Sequence, residues 1–164
     1  MQEQKSIKEQ FRILERNVLL LIILPLPFFA FAYLYTSRPT RTISVPDFPE
    51  FLNTLTLALA LALLAFQQIG FNKTIREIRR KTAGVEEKFM RYAKAVTRRY
   101  YLLMIVGFLC AAGLFLYQNL GFTIAYAINL VLISVYKPSP VRIIRLFGLK
   151  GKDKDIIFNI NRME

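Results

Sequence analysis

The sequence predicts an all-α, polytopic membrane protein with four transmembrane helices, both termini inside, and a cytoplasmic antiparallel helical hairpin extending spans two and three. Three observations carry this expectation. Hydrophobic residues make up 54% of the 164 positions while Lys and Arg number 23 against 11 Asp and Glu, and the mean hydropathy is +0.35. Soluble domains seldom combine high apolar with high basic content. The two are segregated along the chain into four charge-free runs of 17 to 20 residues, each near the length that crosses a bilayer as a helix. The segments between the runs alternate between basic and neutral, and basic loops are retained on the cytoplasmic side.

Residues 1–16 carry Lys5, Lys8, Arg12 and Arg16. Within this segment and just beyond it, Ile7, Phe11, Leu14 and Val18 place an apolar stripe on one face, so it reads as a cytoplasmic amphipathic helix leading into span one. Span one covers 17–35, and Pro25 and Pro27 predict a bend near its middle. Ala30-Phe31-Ala32 also resembles a small-residue signal-peptidase site. Against cleavage stand the long polar lead and its glutamates Glu3, Glu9 and Glu15. The 36–50 loop holds only Arg38 and Arg41 and is rich in proline and hydroxyls, which places it outside. Asp47, Pro49 and Glu50 are start signals for span two, residues 51–70.

The 71–99 segment holds ten Lys and Arg. Phe71, Ile75, Ile78, Thr82, Val85, Phe89, Tyr92 and Val96 recur every three or four residues, which is helix periodicity. Because the chain must return to the membrane, Thr82-Ala83-Gly84 is the natural reversal, and the segment reads as a basic helical hairpin with facing apolar stripes. Span three follows over 100–117, an external turn over 118–119 and span four over 120–136. The tail, residues 137–164, holds seven Lys and Arg. Its Lys137-Pro138-Ser139-Pro140 stops span four, Val141 to Phe147 reads as a surface helix closed by Gly148, and Ile156-Ile157-Phe158 after the solvated 151–155 stretch calls for a packing partner.

The residues that usually carry chemistry are scarce. With no histidine and Cys110 alone, His-based acid–base pairs, Cys/His zinc sites and intrachain disulfides are excluded. Phosphate loops, dinucleotide glycines and nucleophile elbows are absent from the sequence, and its carboxylates are scattered. The expectation is a non-enzyme with no catalytic, metal or cofactor-binding residues. The spans contain uncharged polar side chains, Asn53, Thr54, Thr56, Gln67, Gln68, Thr123, Asn129 and Ser134, and lack the ionisable group that coupled transporters use.

What remains are surfaces. Arg76, Arg79, Arg80, Lys81, Lys88, Arg91, Lys94, Arg98 and Arg99 on the hairpin, with Arg142 and Arg145 on the tail, are candidate contacts for anionic lipid headgroups or partner proteins. Nucleic acid is a weaker fit, because no recognition motif accompanies the charge. Ala58, Ala62 and Ala65 in span two, and Gly107 and Ala111 in span three, are candidate helix-packing positions; Asn129 calls for a bond across a helix interface, with span two as one source of its partner. These features suggest a non-enzymatic membrane subunit or scaffold in a bacterial inner (cytoplasmic) membrane, docking other membrane proteins or itself. The alternative is a small homo-oligomeric channel or transporter lined by Gln67, Gln68, Asn53, Thr56 and Asn129.

Overall fold

A computed structural model describes residues 2–38, 48–80, 84–148 and 157, and their side chains from Glu9 onward except Val85. The stretch 39–47 of the expected external loop, Lys81 with Thr82 and Ala83, and most of the tail beyond Gly148 lie outside the described residues. Six helices are described, with no strand among these residues: α1 Gln2–Ile23, α2 Pro25–Thr36, α3 Glu50–Arg80, α4 Val85–Tyr117, α5 Leu120–Val135 and α6 Pro140–Phe147. Three helical stretches are long and apolar enough to cross a membrane: Glu9–Thr36, Glu50–Arg80 and Glu86–Tyr117. A fourth is reached only by taking α5 and α6 together, and α6 bends away from α5 by 80°. Alone, the 16 residues of α5 reach about 24 Å, somewhat short of a hydrocarbon core of about 30 Å. Large apolar side chains stand exposed along these helices, among them Phe28, Phe31, Leu34, Phe51, Phe66 and Ile69. Surface of that extent is compatible with a lipid environment.

The first span is divided at Leu24, between α1 and α2, although Leu24 keeps a helical backbone conformation and its N–H bonds Leu20 O. Pro25 lacks the N–H that would continue the helical ladder, and it is accommodated by packing rather than by solvent. It is buried, and a Cβ built at Gly107 of α4 would come within 2.9 Å of the Pro25 Cβ. Gly107 is therefore the notch that seats Pro25. Phe11, Leu14 and Val18 of α1 are buried, with Phe11 beside Phe89 at a ring separation of 6.4 Å.

Helix α4 is the hub and packs against α1, α2, α3 and α5. Its buried face runs through Phe89, Tyr92, Val96, Arg99, Leu103, Val106, Cys110 and Leu114, steps of three and four that keep one side of a helix inward. Helices α3 and α4 run antiparallel, since Asn53 near the start of α3 meets Asn119 just past the end of α4, whereas Gln68 further along α3 meets Arg99 of α4. The α4–α5 connection is two residues long. Gln118 takes the left-handed conformation at φ 54° and its N–H bonds Leu114 O, while the Asn119 side chain accepts from Gly121 N at 2.8 Å. Two side chains then stitch α4 to α5 through backbone carbonyls: Tyr100 donates to Ile133 O at 3.1 Å and Asn129 to Leu103 O at 3.2 Å. In a medium without water these bonds satisfy groups that would otherwise go unpaired.

Two packing expectations change. Asn129 finds its partner on α4, the preceding helix in the chain, rather than on span two. Ala58, Ala62 and Ala65 are exposed, and α3 packs inward through Ala60, Leu64, Gln67, Phe71 and Ile78. The reason is register. Where a helix is apolar on every side, small residues do not mark the inner face; the stripe from Phe71 and Ile78, continued backward in steps of four and three, passes through Gln67, Leu64 and Ala60. Gly107 and Ala111 are buried.

Candidate functional site

The end of the α3–α4 pair nearest α6 gathers the chain's polar chemistry. Core periodicity on α4 turns Arg99 inward, and it is only 2% exposed. Its guanidinium lies over the Tyr136 ring at 3.7 Å and the Phe71 ring at 4.5 Å from the centroids. Its Nη2 donates to Gln68 Oε1 at 2.7 Å, and Gln68 Nε2 in turn donates to the Tyr136 hydroxyl. Arg142 of α6 also lies over Tyr136, 4.6 Å from the centroid, and donates to Val135 O. Two cations thus share one aromatic ring. Each cation–π contact contributes about 0.5 to 2 kcal/mol, whereas taking a charge out of water costs several kcal/mol.

The compensation of Arg99 is incomplete. Its Nε and Nη1 have no hydrogen-bond partner, and neither polar atom of Gln67, itself 3% exposed, has one. Among the described residues no carboxylate bonds Arg99. Both side chains line a groove of about 1180 Å³ between α3 and α4. Its basic residues are Lys73, Arg91, Lys94, Arg98 and Arg99, with Glu77 as the acidic one. Its apolar walls include Phe66, Ile69 and Leu102.

Of the cations expected to contact lipid headgroups or partner proteins, Arg76, Arg79, Arg80, Arg91, Lys94, Arg98 and Arg145 are exposed, Lys88 and Arg142 are half-buried, and Lys81 lies outside the described residues. Arg91 pairs with Glu87 at 2.8 Å. Arg99 departs from that group because it occupies a core position. Its signal was in the sequence: Phe89, Tyr92 and Val96 step by three and four, and the next step of three lands on Arg99. Phe71 stood in the periodic stripe and Gln68 among the polar span residues, but nothing local joined them or Tyr136 to Arg99, because that juxtaposition follows from which helices meet.

The arrangement offers positive charge and hydrogen-bond donors to an anion. Among the described residues no group of three or more His, Cys, Asp or Glu side chains could hold a metal ion, and Cys110 is buried within the core cluster. No known family, curated protein or solved structure matches the chain.

Proposed function

We propose that this chain is a non-enzymatic integral subunit or scaffold of a membrane protein complex. In this reading it sits in a bacterial inner membrane with both termini and the basic α3–α4 end on the cytoplasmic side. The observation that carries the reading is the outward face of α3, where Ala58, Ala62 and Ala65 stay exposed at steps of four and three. Small side chains let helix backbones approach closely, and in lipid such approach is a main source of helix association. A face of this kind suits a neighbouring helix better than lipid tails.

The channel alternative has less support, because, of its lining residues, only Gln67 has no hydrogen-bond partner among the described residues and the others are engaged. Asn53 accepts from Asn119 at 3.1 Å, Thr56 donates to Leu52 O at 2.7 Å, and Gln68 and Asn129 are bonded as described above. The test is gentle extraction from native membranes followed by measurement of particle mass and composition. Stoichiometric companion proteins are the expected result. A particle containing this chain alone would overturn the subunit reading and move the channel ahead.

A further inference from the structure

The groove between α3 and α4 combines three properties. Its depth holds two polar side chains with unspent hydrogen-bonding capacity, Arg99 and Gln67. Its rim is cationic through Lys73, Lys94 and Arg98, which are exposed and line it. Its walls at the other end are apolar, with Phe66, Ile69 and Leu102. A buried guanidinium with two idle nitrogens is a costly arrangement unless an acceptor arrives. The acceptor must be anionic, since the cations around it already outnumber the single lining carboxylate, Glu77.

We propose that this groove holds an anionic membrane phospholipid, with its phosphate on Arg99 and Gln67 and its acyl chain along Phe66, Ile69 and Leu102. Lys94 and Arg98 reach the same headgroup from the rim. Size and position favour a lipid over a free anion. The volume of about 1180 Å³ is above the range of about 300 to 1,000 Å³ that suits drug-sized ligands, so a headgroup with part of its chain fits where a lone phosphate would rattle. The groove runs from Phe66 to Ile78 on one side and from Arg91 to Leu102 on the other. It therefore straddles the ends of spans two and three, the depth at which inner-leaflet phosphates sit. The site rests on the membrane placement argued above and not on the presence of partner proteins.

The test uses the full-length protein, purified in neutral detergent and titrated with phosphatidylglycerol or with phosphatidylcholine of the same acyl chains, bound lipid being read by native mass spectrometry. Phosphatidylglycerol is expected to be retained preferentially. The double substitution Lys94→Gln/Arg98→Gln is expected to weaken it by about tenfold or more, each surface cation contributing about fivefold. Arg12→Gln/Arg16→Gln removes the same charge from positions that are exposed but do not line the groove, and is expected to change affinity less than about twofold. Gln67→Leu, which keeps every cation, is expected to lower affinity as well. Equal loss in the two double variants would reduce the effect to general charge attraction and overturn the proposal. Equal retention of the two lipids, or displacement of phosphatidylglycerol by inorganic phosphate at equal concentration, would do so too. The purified chain needs no companion in this assay, so a particle without companions in native membranes leaves the outcome unaffected.

Discussion

Two glycines show how a single missing Cβ sets the packing of the hub helix, and a third on α3 gives the contrast. A Cβ at Gly113 would lie 2.4 to 2.6 Å from the ring of Phe122, which is fully buried at the start of α5. Gly107 plays the corresponding part for Pro25, whereas a Cβ at Gly70 meets nothing within 4 Å. Gly113→Ala should therefore destabilise the protein by about 1 to 3 kcal/mol, the usual cost of overpacking. Gly70→Ala should stabilise it by up to about 1 kcal/mol, because alanine is the better residue inside a helix. Unfolding of the two variants in detergent checks both signs; a neutral Gly113→Ala would mean that α4 and α5 are not in close contact there. Arg99 is decided at this scale as well. Charge suggested a solvated residue, but helical register placed it in the core, and register prevailed because Tyr92, Val96 and Leu103 on the same face are buried.

Among the elements, α6 depends most on its ends. It is eight residues long, too short to persist as an isolated helix, and it combines a buried face of Ile143 and Phe147 with half-buried Arg142 and exposed Arg145. Ser139 caps it by accepting from Arg142 N at 3.3 Å, Pro140 occupies the first turn, and Gly148 closes it at φ 62°. Phe147 then packs edge-on against Tyr92 at 5.7 Å. Ser139→Ala should cost about 1 kcal/mol, read as a lower midpoint of thermal unfolding; an unchanged midpoint would remove the cap from the account. The start and stop of this helix were legible in Pro138-Ser139-Pro140 and Gly148. The same was true of the long reach of α3 and α4, which the periodic stripe through Phe71, Ile78, Phe89 and Tyr92 announced. The inner face of α3 was not legible from span two by itself, since residues 55–66 are almost uniformly apolar and periodicity has nothing to contrast. Nor could local sequence show that α5 ends beside Gln68, which brings Tyr136 to Arg99.

At the level of the whole molecule, segregation of charge from hydrophobicity determines what the chain can be. Three to four apolar helices are compatible with membrane integration, and the cationic groove lies at one end of the two longest. From the distribution of Lys and Arg in the sequence we propose that this end faces the cytoplasm, the premise on which both the subunit and the lipid proposals depend. Single cysteines test it directly, because the native Cys110 is fully buried and should stay unreactive. Arg38→Cys and Arg79→Cys, each expressed in intact cells, would be treated with a membrane-impermeant maleimide before and after permeabilisation. The account predicts that Arg38→Cys is labelled in intact cells and Arg79→Cys only after permeabilisation. The reverse pattern, or equal labelling of the two positions in intact cells, would contradict it.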